Sequence, residues 1–362
     1  MPRFHNHLHF QTLGLRWNTL NYFTHFAGQR HTHYFVADCA KLLDMSNITF
    51  PEKHKLLLLS KFADEYITYL SAADLPGLEI LLPPADLAAQ PVDCEIVFGE
   101  PGLIRPALPH LPGARWVQST FAGVDPLLDP ALRRDYILTN MRGVFGGLMS
   151  EFVLTYLLLH ERKVLQRLNA QKKQQWDATL TGTLRGKTIG LLGVGSIGLE
   201  VARAAKFLGM TVRGYTRESE NSEDVDRYFH GAELFEFARG LDYLVNILPN
   251  TNATRKIVNA DLLACLPPSA LFLNVGRGSA VEQAALIQAL ETGTLAGAVL
   301  DVFEVEPLPA GHPFWTAPNT IVTSHTSAPS FPKEISRVFC ENYRLYVSGQ
   351  PLKYRVDFEK GY

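Results

Sequence analysis

The sequence predicts an α/β protein built from two doubly wound parallel sheets, and three observations lead there. From Lys55 onward, short apolar runs alternate with helical or turn-rich pieces, the rhythm of parallel βαβ units. The run at residues 188–192 empties into Gly193-Val194-Gly195-Ser196-Ile197-Gly198, and a helical pattern begins at once. After that point the alternation continues regularly to residue 323, and 362 residues suffice for two domains, each with its own core.

In the first series, strands are expected at residues 56–59, 78–82, 95–98, 116–118 and 136–139, with a helix over 62–70 and a break at Pro83-Pro84. Two of its loops, at residues 98–101 and 119–125, fall at carboxyl ends of strands, where open α/β sheets bind ligands. They carry the acids Glu100 and Asp125; Asp125, followed by Pro126, reads more simply as a turn residue. Residues 150–169 read as one long helix with a broad apolar face (Phe152, Val153, Tyr156, Leu157, Leu159), either core or subunit interface.

The second series predicts six strands, at residues 188–192, 211–215, 241–247, 271–275, 296–300 and 320–323. Helices are expected at 259–266 and 283–290. Ile197, Val201, Ala204, Ala205 and Leu208 mark a further helix that Gly209 closes. A glycine-rich turn between strand and helix lets a pyrophosphate approach the backbone and meet free helix N–H groups. A tight turn without a ligand and the nucleotide loop of a methyltransferase are the competing readings. The second strand ends in Tyr215-Thr216-Arg217. NAD sites usually place an acid there for the ribose hydroxyls, whereas Arg217 forms a fork suited to a 2′-phosphate; NADP is therefore favoured, with NAD as the alternative. Glu218 and Glu220 nearby argue the other way.

Three segments after later strands form a constellation. Asn274-Val275-Gly276-Arg277-Gly278 sets an arginine between glycines. Asp301-Val302-Phe303-Glu304-Val305-Glu306-Pro307 supplies acids, and Thr323-Ser324-His325-Thr326-Ser327 a histidine. Taken singly, Arg277 reads as a salt-bridge partner, Glu306 as a helix cap and His325 as a satisfied core residue. Together they offer an anion clamp, a proton donor and a carboxylate to orient that donor, which is what reduction of a 2-keto acid requires. A methyltransferase has no use for that set.

Composition narrows the field. The chain is 46% apolar and 19% charged with a net charge of −2, so no basic field recruits nucleic acid or an anionic membrane. No apolar run is long enough to span a bilayer. Cys39, Cys94, Cys265 and Cys340 are scattered without metal-ligand spacing, as expected of reduced thiols in the cytoplasm. Residues 1–44 differ: they hold His5, His7, His9, His25, His31 and His33 and no acid before Asp38. A metal-binding tract and a transit peptide are both weaker readings there than an extension dispensable for the fold, with Met45 as an alternative start.

The chain resembles the D-isomer-specific 2-hydroxyacid dehydrogenases from about Lys55 to its end. Carrying the likeness are GVGSIG, NVGRG, LDVFEVEP and the SH of TSHTSA, in that order and spacing. Within the family it is most similar to the glyoxylate/hydroxypyruvate reductase A branch. Leu248-Pro249-Asn250-Thr251, Pro307-Leu308-Pro309, Phe314-Trp315, the Thr-Arg pair and Gly361-Tyr362 mark that branch. The resemblance implies two Rossmann-like domains, the catalytic one discontinuous in sequence. Residues 1–54 would be an extension, 55–150 with 328–362 the substrate domain, and 151–327 the dinucleotide domain. It implies Arg277, Glu306 and His325 as catalytic residues. Dinucleotide contacts would come from Gly193, Gly195, Ser196, Ile197, Gly198, Thr216, Arg217, Leu248, Pro249, Thr254, Val275 and Gly276, with Asp301 on the nicotinamide carboxamide. Ala122 and Gly123 would receive the substrate carboxylate and Trp315 would line the pocket. The expected enzyme is an NADPH-preferring, metal-free, homodimeric reductase of glyoxylate and hydroxypyruvate. A dinucleotide-sensing regulatory protein and a dehydrogenase of larger hydroxyacids are the alternatives. Ser324 and Thr326-Ser327-Ala328 depart from the family's usual Pro-His and small-residue pattern, which bears on the turn that carries His325.

Overall fold

Leu56, Leu57 and Leu58 are wholly excluded from solvent, as a strand covered on both faces requires. They lie in β1 (His54–Leu59), followed by α1 (Ala63–Ser71), β2 (Leu78–Leu81), β3 (Ile96–Gly99), α2 (Pro101–Ala107), β4 (Trp116–Ser119) and β5 (Ile137–Thr139). The computed structural model describes residues 52–217, 220 and 222–362; the expectations for residues 1–44, Met45 and Glu218 lie outside them. The five strands are parallel in the order β2-β1-β3-β4-β5, so the order reverses between β1 and β3. The first sheet begins at His54, inside the stretch expected to be extension.

The helix expected over residues 150–169 is two helices, α3 (Gly146–Glu161) and α4 (Val164–Lys172). They part at Lys163, which adopts a left-handed conformation (φ 54°). Burial explains the break. Met149, Val153 and Leu157 are buried in the core of the second sheet, and Phe152 and Tyr156 pack partly buried against it. No residue of α4 is buried, so nothing holds it on the same axis.

The second sheet starts with β6 (Thr188–Leu192) and α5 (Ser196–Phe207), then β7 (Thr211–Tyr215), β8 (Arg227–Phe229) and α6 (Leu234–Ala238). It continues through β9 (Tyr243–Asn246), α7 (Ala260–Ala264), β10 (Leu271–Asn274), α8 (Gln283–Glu291), β11 (Gly297–Leu300) and β12 (Thr320–Val322). Seven parallel strands, not six, run in the order β12-β11-β10-β9-β6-β7-β8, with the reversal between β6 and β9. The seventh, β8, is a three-residue edge strand, Arg-Tyr-Phe, which carries no apolar run to announce it.

Residues 328–362, which the resemblance assigns to the first domain, contribute to its core. In α9 (Pro332–Val347), Ile335, Val338, Phe339 and Tyr343 join Leu56, Leu58, Phe98 and Trp116 in one buried cluster. The Phe339 ring stacks on Phe98 (4.6 Å between centroids) and on Trp116 (5.2 Å). Burying one such ring contributes about 1.5–3 kcal/mol. No helix among the described residues is long and apolar enough to cross a membrane. Among them Cys94, Cys265 and Cys340 are free, and burial pushes the Cys94 thiol up to about 11.

Candidate active site

The three glycines after β6 do three different things. Gly193 takes φ +102° and its N–H donates to the Tyr215 carbonyl (2.9 Å), turning the chain tightly back toward α5. A Cβ on Gly198 would lie 2.2 Å from the Gly193 carbonyl oxygen, so this glycine lets α5 pack on β6. A Cβ on Gly195 would meet nothing within 4 Å. Gly195 and Ser196 are exposed at the start of α5, which has no side-chain cap. An uncapped helix N-terminus behind an open glycine fits a pyrophosphate. Ile197 packs against one core cluster of each sheet.

Thr216 and Arg217 leave β7. The Thr216 carbonyl bonds the Nδ1 of His230 (2.8 Å), whose Nε2 meets Glu220 (2.5 Å). That carboxylate holds the His230 ring above its usual titration range. Arg217 makes no ion pair among the described residues and lies over the Tyr362 ring. Of the other expected dinucleotide contacts, Gly276 packs the end of β10 on the end of β9: a Cβ there would stand 2.7 Å from the Leu248 carbonyl oxygen. Leu248 lies beside Gly193, and Val275 is buried. Thr254 donates its hydroxyl to the Pro249 carbonyl (2.6 Å) and accepts the Thr251 amide (2.9 Å), tying its own loop together.

Arg277, just beyond β10, meets the loop after β4. A Cβ on Gly123 would fall 1.4 Å from the Arg277 Nη2, so only glycine allows the guanidinium there. Asp125 accepts from Arg277 Nε (3.0 Å) and the Gly276 carbonyl accepts from Nη1 (2.7 Å). Asp125 does open a turn, the 3-10 helix Asp125–Leu127, and its carboxylate in addition holds the arginine from a position 152 residues away. The same loop is braced by Asn140, whose amide donates to the Ala122 carbonyl (2.8 Å). Asn140 went unnoticed in the sequence, although it directly follows the strand expected at 136–139, at the same carboxyl edge.

His325 sits at φ +55°, a left-handed position that a non-glycine residue adopts at a cost, most often where the surroundings impose it. Its Nδ1 bonds Glu306 Oε2 (2.8 Å), while Glu306 Oε1 accepts the Phe303 amide (2.8 Å). Nε2 makes no hydrogen bond among the described residues. Asp301 imposes the turn. Wholly buried, it accepts from Thr323 Oγ1 (2.5 Å) and from the Thr326 (2.9 Å) and Ser327 (3.0 Å) amides, while its carbonyl takes the His325 N–H (2.8 Å). The Thr-Ser departure after the histidine is thus accommodated through backbone amides. Gly278 abuts Phe303, since a Cβ would lie 1.9 Å from the Phe303 carbonyl carbon, so the Arg277 and Glu306 loops touch. Trp315 lies half-exposed in a short 3-10 turn, its indole N–H on the Pro309 carbonyl (2.9 Å). No cluster of metal-ligating side chains occurs among the described residues.

A glycine turn at one switch point, with an arginine, a carboxylate and a histidine on the carboxyl edge of the same sheet, is an arrangement other proteins share. The family described as "D-isomer specific 2-hydroxyacid dehydrogenase, NAD binding domain" matches residues 154–327. Glyoxylate/hydroxypyruvate reductase A of Serratia proteamaculans is 33% identical over 303 residues, which is 80% of this chain and 95% of that protein. The chain belongs to the D-isomer-specific 2-hydroxyacid dehydrogenase family.

Solved members agree in fold. A family protein from Aeromonas salmonicida is 40% identical with a TM-score of 0.81, covering 85% of this chain and all of its own. The NADPH-dependent glyoxylate/hydroxypyruvate reductase of Sinorhizobium meliloti, solved with NADP and sulfate, is 31% identical with a TM-score of 0.77 over 86% of this chain. Membership makes the chain an NAD(P)-dependent oxidoreductase of the 2-hydroxyacid class, in the glyoxylate/hydroxypyruvate reductase A branch.

Proposed function

We propose that the chain reduces small 2-keto acids, glyoxylate and hydroxypyruvate, with NADPH as the preferred reductant. The pairing of His325 Nδ1 with Glu306 Oε2 carries this reading, because it leaves Nε2 to give a proton. Gly193, Gly195, Ser196 and the N-terminus of α5 would hold the pyrophosphate, and Thr216 with Arg217 the 2′-phosphate. When bound, the reduced dinucleotide supplies a hydride to the substrate's carbonyl carbon. Arg277 and the amides of Ala122 and Gly123 grip the carboxylate, and Arg277 polarises the keto oxygen. Asp125 keeps the guanidinium aimed. His325 gives its proton to the developing alkoxide, with Glu306 orienting the ring. Asp301 acts by holding the His325 turn. The supporting relatives are the reductases whose names state glyoxylate, hydroxypyruvate and NADPH.

Steady-state kinetics with glyoxylate, hydroxypyruvate and longer keto acids, each with NADPH and NADH, tests the reading. A lower KM for NADPH and best turnover on the two small acids are expected. Tight dinucleotide binding without turnover on any of them would favour a sensor instead.

We also infer a homodimer. Trp176, Leu180 and Phe207 are 96%, 91% and 88% exposed, and Leu165 and Leu168 of α4 add further exposed apolar side chains. These side chains are available to bury against a second copy, which supports the reading. Sedimentation of the wild type and of Trp176→Ser/Leu180→Ser should show a dimer and a monomer respectively; a monomeric wild type would refute it.

A further inference from the structure

The segment after α9 leaves the first core and ends on the second sheet's loops, and nothing in the proposed chemistry uses it. Its root is firm. The Val356 N–H donates to the Leu138 carbonyl (2.9 Å), and the Phe358 ring meets Tyr136 edge-on (5.7 Å) and lies beneath Arg134 (5.5 Å). Asp357 then folds the tail into a closed turn. Its Oδ1 accepts the amides of Glu359 (2.9 Å) and Lys360 (3.2 Å), its carbonyl accepts Gly361 N–H (2.8 Å), and its own N–H donates to the Tyr362 carbonyl (3.2 Å). Those backbone bonds hold the Asp357 carboxyl below the usual carboxylate range.

Gly361 takes φ +80° where the turn meets both halves of the molecule. A Cβ there would be 3.5 Å from Leu128 of the first sheet's loops, and 3.8 Å from Thr251 and 3.9 Å from the Asn250 carbonyl after β9. Those are ordinary contact distances, but a side chain would be strained in that conformation, so glycine sets the direction in which the chain reaches the next residue. That residue is Tyr362, whose ring centroid lies 5.5 Å from the Arg217 Cζ. Arg217 is exposed and has no carboxylate partner among the described residues, where its guanidinium lies over this ring.

We propose that Tyr362 is a cofactor-selectivity residue: its ring holds the Arg217 guanidinium in place to receive the 2′-phosphate of NADPH. An arginine free to swing loses rotamer entropy when it grips a phosphate; one already stacked on an aromatic face loses less. The ring neither touches the substrate nor takes part in proton transfer, so it acts on affinity for the 2′-phosphorylated dinucleotide and not on the chemical step. This rests on the assignment of Thr216 and Arg217 to the 2′-phosphate.

The test is calorimetric, with two probes that differ by that phosphate, 2′,5′-ADP and 5′-AMP, on the full chain. Tyr362→Ala should weaken 2′,5′-ADP ~2- to 5-fold, the range of an exposed cation–π contact, and leave 5′-AMP unchanged. Tyr362→Phe should bind both as the wild type does. Unchanged 2′,5′-ADP affinity in Tyr362→Ala, or an equal loss for both probes, overturns the proposal. An equal loss in Tyr362→Phe removes the ring as its basis. Arg217→Ala separates the two levels. If it weakens 2′,5′-ADP selectively while Tyr362→Ala does not, the tyrosine assignment falls alone. If it has no selective effect, the 2′-phosphate assignment falls with it.

Discussion

Each sheet reverses its strand order once, yet the turns that leave β1 and β6 meet opposite fates. After β6, Gly195 opens onto nothing and the first turn of α5 is uncapped. After β1, the corresponding place is filled from within. Glu100, 8% exposed, accepts Ser60 Oγ (2.9 Å) and the Lys61 amide (3.3 Å) just ahead of α1. Both turns present backbone N–H groups that favour an anion. The first sheet meets that need with its own carboxylate, and on the proposed function the second leaves it to a ligand's phosphates. On that proposed function, two domains of the same parallel, doubly wound architecture differ at these turns by a few loop residues, and architecture alone does not say which turn takes the dinucleotide.

The sharpest way to break this comparison is to remove the chemistry gathered on the second sheet. His325→Ala should lower kcat roughly a hundredfold or more while leaving the NADPH dissociation constant near its wild-type value. Arg277→Ala should raise the keto-acid KM by about 10- to 100-fold, the worth of a charged hydrogen bond. Near-normal turnover in the first, or an unchanged KM in the second, would mean the roles are misassigned.

The glycines sharpen it next. Gly198→Ala forces a Cβ to within 2.2 Å of the Gly193 carbonyl oxygen and should cost about 1–3 kcal/mol, seen as a fall of several degrees in Tm. Gly195→Ala should leave Tm unchanged and weaken dinucleotide binding instead. If the two variants behave alike, the division between a packing glycine and a ligand glycine is wrong. Glu100→Gln is the counterpart in the first sheet. It should destabilise by about 1 kcal/mol, a Tm shift of a few degrees by scanning calorimetry, without altering dinucleotide affinity.

The smallest effect concerns His230. Its hydrogen bond to Glu220 and then that to the Thr216 carbonyl raise its titration point, so the folded state favours the protonated ring. The resulting stabilisation is complete below the ordinary histidine range and is lost as pH rises through the raised value. In Glu220→Gln the His230 ring, followed by NMR, should titrate at a lower pH than in the wild type; an unmoved midpoint would discount the pair.

Much of the second sheet was legible because its signals are local. The apolar run at 188–192 and the glycine turn behind it stand next to each other in sequence, as do Arg277 and its flanking glycines. Elements that depend on burial were harder to see. The helix expected at 150–169 breaks where burial stops, β8 is too short to announce itself, and α9 finds its place only where Phe339 meets Phe98 and Trp116.

By itself the sequence determined two parallel α/β sheets, the glycine turn, and an arginine, carboxylate and histidine on the carboxyl edge of the second, because strand period, turn chemistry and residue type are written over a few neighbouring positions. Only the tertiary structure decided which of the surrounding groups hold that set in place. Asp125 reaches Arg277 across 152 positions, Asp301 folds the His325 turn from another strand, and Glu100 closes the first sheet's own switch point. These are pairings between separate strand ends, and strand order, which no local pattern encodes, sets which ends become neighbours.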